Sequence, residues 1–313
     1  ALAEFIPARH RGKSIMLAAN FWNIGAAMIA GLALLYSELY ADIDTQIRYL
    51  LVTAIALALI VALARVHVPE SPRWLLEKKR FSEAIEIVQR FTGSSIAISE
   101  REIETRAPET SIGLREIFSS RKYLFRFVVL AIITTTQLLT YNMIAYYMPY
   151  AGDFVYGVES APLVIFIANL GASVGAFIMI PVIDFSRRVS AISSYLGGLL
   201  TVAAITASYL INSPQQIFLA TIFINMIFAE WAWASLSSLE SELFPTGVRA
   251  SVIGLNTGLA WVVNTIIILL EIFISATQYL YLAALLWLIG LVASATWYIR
   301  GIETAKKPLE AVH

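Results

Sequence analysis

Eight long apolar stretches constrain the fold of this 313-residue chain more than any other feature of its sequence. A bilayer core about 30 Å thick is crossed by roughly 20 apolar residues of helix. Lipid offers no water to unpaired backbone groups, so such stretches must cross it as helices. The sequence therefore predicts an all-α membrane protein, with spans over residues Ser14–Tyr36, Arg48–Val66, Phe127–Tyr150, Pro162–Ile183, Val189–Ile211, Gln216–Leu239, Val252–Ile274 and Tyr279–Ile299.

The charged residues test this count of spans, because successive connecting segments must alternate between the two sides of a membrane. Of the 22 Lys and Arg residues, 21 fall on one side, and only Arg48 falls on the other. A single miscounted span would destroy this segregation. Since Lys and Arg accumulate in cytoplasmic loops, we expect the basic side, and with it both ends of the chain, to face the cytoplasm.

The composition excludes several classes of function. The chain has no cysteine, so disulfides, thiolate metal ligands and cysteine nucleophiles are excluded. The histidines (His10, His67 and His313) do not pair at the spacing of metal ligands, and a formal net charge of zero gives a nucleic-acid partner no electrostatic support. The sequence contains neither a nucleophile–base pair nor a phosphate-binding glycine loop, so it predicts a protein that is not an enzyme and holds no metal or cofactor.

A short motif occurs twice, in two loops on the basic side. Residues 4–11 and residues 242–249 share Glu, Pro and Arg at identical spacing, and two predicted spans follow each copy. Membrane proteins built from duplicated halves show internal symmetry of this kind. Four spans of the second half precede the second copy and none precedes the first, so matching halves predict four further helices before Ala1. The eight spans would then be equivalent to helices 5–12 of twelve; the alternative is chance similarity of two loops.

A polar segment between the second and third predicted spans separates the two halves. Within it, Phe81, Ile85 and Val88 recur at helical spacing, which indicates short amphipathic helices lying against the bundle. The sequence thus predicts the end of an N-terminal six-helix bundle, a cytoplasmic linker, a C-terminal six-helix bundle and a tail, over residues 1–66, 67–121, 122–300 and 301–313.

Several segments resemble one family, the sugar-porter branch of the major facilitator superfamily. PESPRWL at Pro69–Leu75 matches the signature that follows the sixth helix of that family. AEFIPARHRG and SELFPTGVRA are similar to its loops after the fourth and tenth helices, and Glu303 and Thr304 resemble part of its last signature. FWNIG at Phe21–Gly25 and PTGVRA at Pro245–Ala250 look more like its organic-ion and niacin-type relatives.

The resemblance implies two six-helix bundles around a central cavity, and secondary active transport by alternating access. The implied solute is small and polar, either a sugar or an organic acid, and proton coupling is the expected energy source. The expected partners are the solute, the proton and the lipid of the plasma membrane, with no nucleic acid, and the expected state is a monomer. A non-transporting membrane nutrient sensor of the same fold is the alternative.

The segment TQLLTYNMIAYY resembles a sugar-contacting part of the family's seventh helix. Gln137, Asn142 and Tyr146 match its pattern and are candidate substrate ligands, whereas Thr136 and Thr140 depart from it. Gln137 and Asn142 lie about 140° apart on an ideal helix, so a shared cavity requires a broken helix. The alternative is ordinary hydrogen bonding between helices.

Further candidate substrate residues are Trp22, Asn23 and Trp233. The tryptophan rings offer stacking surfaces for a ring-shaped solute, while Asn23, three residues from Asn20, offers a polar contact or simply packs between helices. Glu230 is an acid placed deep within a predicted span, where a polar side chain is costly enough to need a reason. We expect it to carry the coupled proton or, as a variant, to bind a cationic solute; the alternative is a neutral acid bonded to a neighbouring helix.

Acids and arginines at the basic ends of the helices form a separate group. In the family that the chain resembles, such residues pair between bundles and hold one state of the transporter. Pairs of this kind can form in one state and break in the other. The predicted cytoplasmic gating residues are Glu4, Arg11, Asp184, Arg187, Arg188, Glu242 and Arg249.

Overall fold

The computed structural model describes residues 11–65, 69–70, 72, 75, 78–92 and 113–307, and within these ranges the secondary structure is helical, without strands. The α-helices are α1 (Arg11–Leu39), α2 (Ile43–Arg65), α3 (Phe81–Thr92), α4 (Leu114–Ser119), α5 (Arg121–Asn142), α6 (Ala161–Ile183), α7 (Arg187–Leu210), α8 (Gln215–Leu243), α9 (Thr246–Leu269) and α10 (Ala276–Arg300). Short 3-10 turns at Met148–Tyr150, Val158–Ser160 and Glu271–Phe273 lie between them.

Eight of the described helices are long and apolar enough to cross a bilayer, which confirms the predicted number and order of spans. The helices extend beyond the apolar stretches at several ends. Helix α5 begins at Arg121 rather than at Phe127, and α8 continues to Leu243 rather than stopping at Leu239. A helix does not end where hydropathy falls, because its polar ends find partners in the loops and in neighbouring helices.

The core of the bundle is built from α5, α7, α8 and α10, with α6 packed along α8. Tyr195 of α7 meets Trp287 of α10 edge to face, with ring centroids 5.3 Å apart. Gly171 and Gly175 of α6 lie directly against the α8 backbone, where a Cβ on Gly175 would approach the Ile227 Cα to 2.6 Å. Small residues four apart allow two membrane helices to approach this closely, since lipid provides no hydrophobic force between them.

Helices α1 and α2 differ in how they pack. Helix α1 runs along α6 and also contacts α8, whereas α2 touches α1 and buries none of its residues. The α1–α2 contact includes a stacked pair, Tyr40 and Tyr49, with centroids 4.8 Å apart, and a 3.1 Å hydrogen bond between the Tyr36 and Thr53 hydroxyls. Under the predicted domain division, the α1–α6 contact joins the two bundles.

Helix α5 changes its winding near its C-terminal end. After Asn142 the chain forms a π-helix over Met143–Tyr147 and then the 3-10 turn that contains Pro149. Widened turns of this kind occur mostly at functional sites. The third predicted span, which the resemblance equates with the family's seventh helix, is therefore irregular, but the irregular part follows Asn142 instead of separating it from Gln137.

The described part of the linker includes the short helices α3 and α4, and α3 is amphipathic, as the spacing of Phe81, Ile85 and Val88 predicts. In α3, Ala84 is buried and Phe81, Ile85 and Val88 are half-buried on the same side. In α4, Ile117 is fully buried.

Candidate functional site

A cluster of polar side chains lies where α1, α6 and α8 meet the C-terminal end of α5. The Tyr141 hydroxyl is 2.7 Å from Asn169 Oδ1 and 3.0 Å from Asn23 Oδ1, and the Tyr146 hydroxyl donates to the same Asn169 oxygen over 3.2 Å. Asn20 donates to the Ser173 carbonyl over 3.3 Å. We call Asn20, Asn23, Tyr141, Tyr146, Asn169 and Glu230 the central cluster.

Glu230 of α8 is the acid of the central cluster. Its side chain is 3% exposed, and Oε1 makes no hydrogen bond to any part of the chain that the structure describes. The Asn23 and Tyr141 side chains lie close enough to interact with the carboxyl group. The described spans α6 and α8 contain no Lys or Arg. The Lys and Arg residues of α1 and α5 lie near the N-terminal ends of these helices, at or before Lys13 and Arg126, respectively. Glu230 therefore has polar, uncharged neighbours.

A cavity of 590 Å³ adjoins the central cluster where α1 meets the irregular end of α5. Trp22 and Tyr146 both line it, and most of its other walls are apolar. Trp22 is 70% exposed, so its ring is available at the cavity wall, while the neighbouring Asn23 is buried and turned toward Tyr141. The cavity thus joins aromatic surface to the edge of a hydrogen-bonding network.

The remaining predicted substrate residues do not face one site. Gln137 and Asn142 lie on different sides of α5, and Trp233 lies on α8. Gln137 donates to the Ala229 carbonyl of α8 over 3.2 Å, next to Glu230. Asn142 instead donates to Asn264 of α9 over 3.2 Å. The 140° separation on an ideal helix is retained, because α5 is still regular between the two residues. Trp233 is half-buried on α8 against the core cluster.

At the basic ends of the helices, Arg187 lies at the centre of a buried ion-pair network. The Arg187 side chain is fully buried, and its Nη2 and Nε lie 3.1 and 3.2 Å from the two Glu242 carboxylate oxygens. Arg187 Nη1 lies 3.2 Å from Asp184 Oδ1. The backbone N–H groups of Gly12 and Lys13 donate to the Asp184 oxygens over 3.1 and 3.4 Å. Asp184 therefore connects the first turn of α1 to Arg187 and, through it, to the end of α8.

The segment after α10 completes this ion-pair network. We call Asp184, Arg187, Glu242, Glu303 and Thr304 the gate network, after the role predicted for the first three of them. The Thr304 hydroxyl donates to Glu242 Oε2 over 2.6 Å. Glu303 accepts from the Ser186 hydroxyl and, over 3.0 Å, from the Arg187 N–H. Burial opposes ionisation of Glu303, but these bonds and those from Arg188 and Ala305 outweigh it and lower its pKa below the ordinary value.

Two further predicted gating residues, Arg188 and Arg249, donate side-chain hydrogen bonds to backbone carbonyl groups. The Arg188 guanidinium donates to the Tyr298 carbonyl and lies over the Tyr298 ring, 5.1 Å from its centroid. Arg249 Nε donates to the Phe244 carbonyl over 3.1 Å. Glu4 and the side chain of Arg11 lie outside the described residues.

Asn169, Asn264 and Glu240 are among the polar residues of the described spans that the sequence analysis did not select as site residues. Asn169, fully buried, is the shared acceptor of the central cluster. Asn264, also fully buried, joins Asn142 to the Tyr147 hydroxyl, to which it donates over 2.7 Å. Glu240 is 5% exposed and bonded to α5 and α9. The rule that a polar residue within a span needs a reason would have identified the two asparagines.

Comparison with known proteins agrees with this architecture. The family model described as sugar (and other) transporter matches residues 1–313. The inner membrane metabolite transport protein YgcS of Escherichia coli is 28% identical over 264 residues, which are 83% of this chain and 56% of YgcS. The arabinose-proton symporter of Bacillus subtilis is 25% identical over 280 residues, which are 84% of this chain and 59% of the symporter.

Among solved structures, the proton:xylose symporter XylE of E. coli, bound to 6-bromo-6-deoxy-D-glucose, superposes with a TM-score of 0.79. The sequences are 20% identical, and the match covers 99% of this chain and 68% of XylE. At this identity the likeness concerns the fold alone.

Fold and comparisons together define a multi-pass membrane protein with the major facilitator fold. The chain belongs to the family of sugar and other transporters. It spans less than two thirds of the length of YgcS and of the arabinose-proton symporter. Family membership confirms the predicted resemblance, the all-α fold and the prediction that the chain is not an enzyme.

Proposed function

We propose that the complete protein is a secondary active transporter that moves a small polar solute by alternating access, coupled to protons through Glu230. The observation that carries the proposal is a buried carboxyl group with uncharged neighbours, placed where α1 meets α5, α6 and α8. A buried carboxylate without a cation is costly, so proton binding is its natural means of neutralisation. Two relatives in sequence or fold are named as proton symporters, for arabinose and for xylose.

The solute that fits the central cluster best is a neutral, hydroxyl-bearing one. The cluster offers hydroxyl and amide groups, which can donate and accept, and none of its side chains is cationic. An organic acid would meet Glu230 without a compensating positive charge, whereas a sugar ring can use the exposed Trp22 surface and the Tyr146 hydroxyl. We also propose Gln137, Asn142, Asn23 and Trp233 as residues that bind the solute.

Uptake into proteoliposomes tests both the proton coupling and the chemical class of the solute. We expect the complete protein to accumulate a labelled sugar when the outside is acidic, and unlabelled sugars to compete better than aliphatic or aromatic acids. Glu230→Gln should abolish the dependence of uptake on the pH gradient, Glu230→Asp should retain it in part, and Glu38→Gln, an exposed acid at the end of α1, should behave as wild type. A Glu230→Gln variant with full pH dependence would exclude the coupling role.

The gate network is proposed to close the cytoplasmic side of the pathway. It joins α1 to α6, α7 and α8 through buried charges, so opening at this end must separate Asp184 from the first turn of α1. This chain has no cysteine, so once any cysteine outside it is replaced, single cysteines at Lys306 and Gln278 can be labelled with an impermeant maleimide. We expect labelling of Gln278→Cys from outside intact cells and of Lys306→Cys after permeabilisation; the reverse pattern would invert the proposed orientation.

The alternative, a non-transporting sensor, gains no support from the relatives, which are named as transport proteins. Purified protein that binds sugar but neither accumulates nor exchanges it would favour the sensor.

A further inference from the structure

A second buried acid lies on α8, outside both the central cluster and the gate network. Glu240 is 5% exposed, and its Oε1 accepts from the Thr134 hydroxyl of α5 over 3.2 Å and from Asn256 Nδ2 of α9 over 3.4 Å. Helices α8 and α9 otherwise touch little, so this carboxyl group is the polar link between them. It falls one residue beyond the span that the sequence predicts.

Glu240 shares a face of α8 with Glu230. Ser237 and Glu240 follow Glu230 by seven and ten residues, which places all three in a stripe that covers about 80° of the helix surface, with the two acids about 15 Å apart along the axis. Between the buried acids, Trp233 and Ser237 are only half-buried. The stripe therefore carries an acid at each end of a partly accessible stretch, made of Trp233 and Ser237, that leads toward the gate network.

The charged groups near this end of α8 have partners other than Glu240. Arg126 donates to the Leu243 carbonyl over 2.6 Å, Arg249 donates to the Phe244 carbonyl, and Glu242 is paired with Arg187. Among the residues described, Glu240 forms no ion pair. The described titratable side chains at this end of the helices that surround α8 are Lys13 of α1, Arg121, Lys122, Tyr123 and Arg126 of α5, Asp184 after α6, Arg187 and Arg188 of α7 and Arg249 of α9.

The immediate surroundings of Glu240 suit a carboxyl group that gains and loses a proton. Thr134 also donates to the Leu130 carbonyl over 2.8 Å, so its single proton is shared between two acceptors. Asn256 Oδ1 is buried and has no hydrogen-bond partner in the described chain. This is a free acceptor beside Glu240, and it fits the O–H of a protonated carboxyl group or of a bridging water.

We infer that Glu240 is a second proton-binding residue, which relays the proton between Glu230 and the end of α8 that holds the gate network. This inference rests on the proposed function. In the step, the O–H bond of the Glu230 carboxylic acid breaks and an O–H bond forms on the Glu240 carboxylate, with water in the half-buried stripe carrying the proton. Glu230 becomes the carboxylate and the total charge is unchanged. Release then occurs from Glu240 on the side of Arg187.

Infrared difference spectroscopy of the complete protein in lipid, titrated with pH, tests proton binding without any transport. We expect two carboxylic-acid carbonyl bands that titrate, one lost in Glu230→Gln and the other in Glu240→Gln, with a shifted band restored in Glu240→Asp. A Glu240→Gln spectrum identical to that of the wild type would overturn the inference, because Glu240 would then neither gain nor lose a proton over the titration.

Proteoliposomes test the relay. Glu240→Gln should reduce accumulation driven by a pH gradient by about 100-fold, the scale of one positioned proton-transfer group. Counterflow of labelled against unlabelled solute, which needs no net proton movement, should persist, and Glu240→Asp should recover accumulation. Ser241→Ala, a substitution at the residue next to Glu240 on α8, is the matched control.

Loss of both counterflow and accumulation in Glu240→Gln would show that Glu240 has a structural role. Loss of neither activity would show that Glu240 has no role in transport. Either result overturns the relay. A wild-type protein that accumulates nothing overturns the proposed function instead, while the infrared bands still decide whether Glu240 binds a proton.

Discussion

Two buried glutamates on the same helix, twelve residues apart, have opposite surroundings. Glu242, at the end of α8, meets Arg187 through both carboxylate oxygens and also accepts from Thr304. Glu230, within the same helix, has asparagine and tyrosine neighbours and an oxygen with no partner in the described structure. An anion with a fixed cation holds helices together, whereas one without a cation is available to a proton or a solute.

The difference follows from where cations can be placed in a membrane protein. In the described spans, every Lys and Arg lies within six residues of a helix end. A guanidinium in the middle of a span would cost several kcal/mol, so Glu230 has no cation to meet. The acids of the gate network pair with Arg187 for the same reason, because the charged residues stand together at neighbouring helix ends.

Removing the cation from the paired region should have the largest effect. Arg187→Met leaves Asp184 and Glu242 buried without their partner, and we expect the free energy of unfolding to fall by about 3–5 kcal/mol. Equilibrium unfolding in mixed micelles measures it. Arg300→Met, at an exposed helix end, is the control; an equal loss in both variants would mean that the buried pairs contribute nothing.

Crowding the same region without changing its charge should have the next largest effect. A Cβ on Gly12 would overlap the Arg187 guanidinium and the Asp184 carboxylate, so Gly12→Ala should destabilise the protein by about 1–3 kcal/mol. Gly25, also on α1, has open space around it. Gly25→Ala should therefore stabilise slightly, through helix propensity alone. Thermal unfolding that ranks the two variants the other way would contradict the packing at Gly12.

The pH dependence of the gate network should be smaller and has a defined sign. The pKa of Glu303 is lowered in the folded protein, so its contribution is complete above the unfolded-state pKa and is lost as the pH falls through the folded-state pKa. Acidification should therefore reduce stability below about pH 4.5, and Glu303→Gln should remove part of that slope. Unfolding curves at a series of pH values measure the effect; an unchanged slope would show that the pKa of Glu303 does not change on folding.

The smallest change in stability is expected at the unpaired acid. Glu230→Gln keeps the shape of the side chain and removes no ion pair, so the free energy of unfolding should change by about 0.5 kcal/mol or less. The comparison variant Glu242→Gln, which leaves Arg187 with one acid, should lose clearly more. A Glu230→Gln loss as large as that of Glu242→Gln would show that Glu230 has a fixed cationic partner after all.

Much of the gate network could be predicted from sequence, and much of the central cluster could not. Asp184, Arg187 and Glu242 stand at the ends of apolar stretches, where a charged residue is conspicuous. Glu240 was missed because hydropathy ends the span at Leu239, while the helix continues inside the protein. Gln137 and Asn142 were grouped by a family pattern, but a regular helix turns them toward different neighbours.

The sequence by itself determined the number of spans and the end of the bundle at which the charges gather. Both are properties of position along the chain, because the bilayer sorts each segment by its own hydropathy and charge. Only the tertiary structure decided which polar groups meet inside. Tyr141 contacts Asn23 across 118 residues of sequence and Asn169 across 28. Such contacts depend on how each helix is rotated and on how closely the glycines of α6 let it approach α8, and neither can be read from one helix alone.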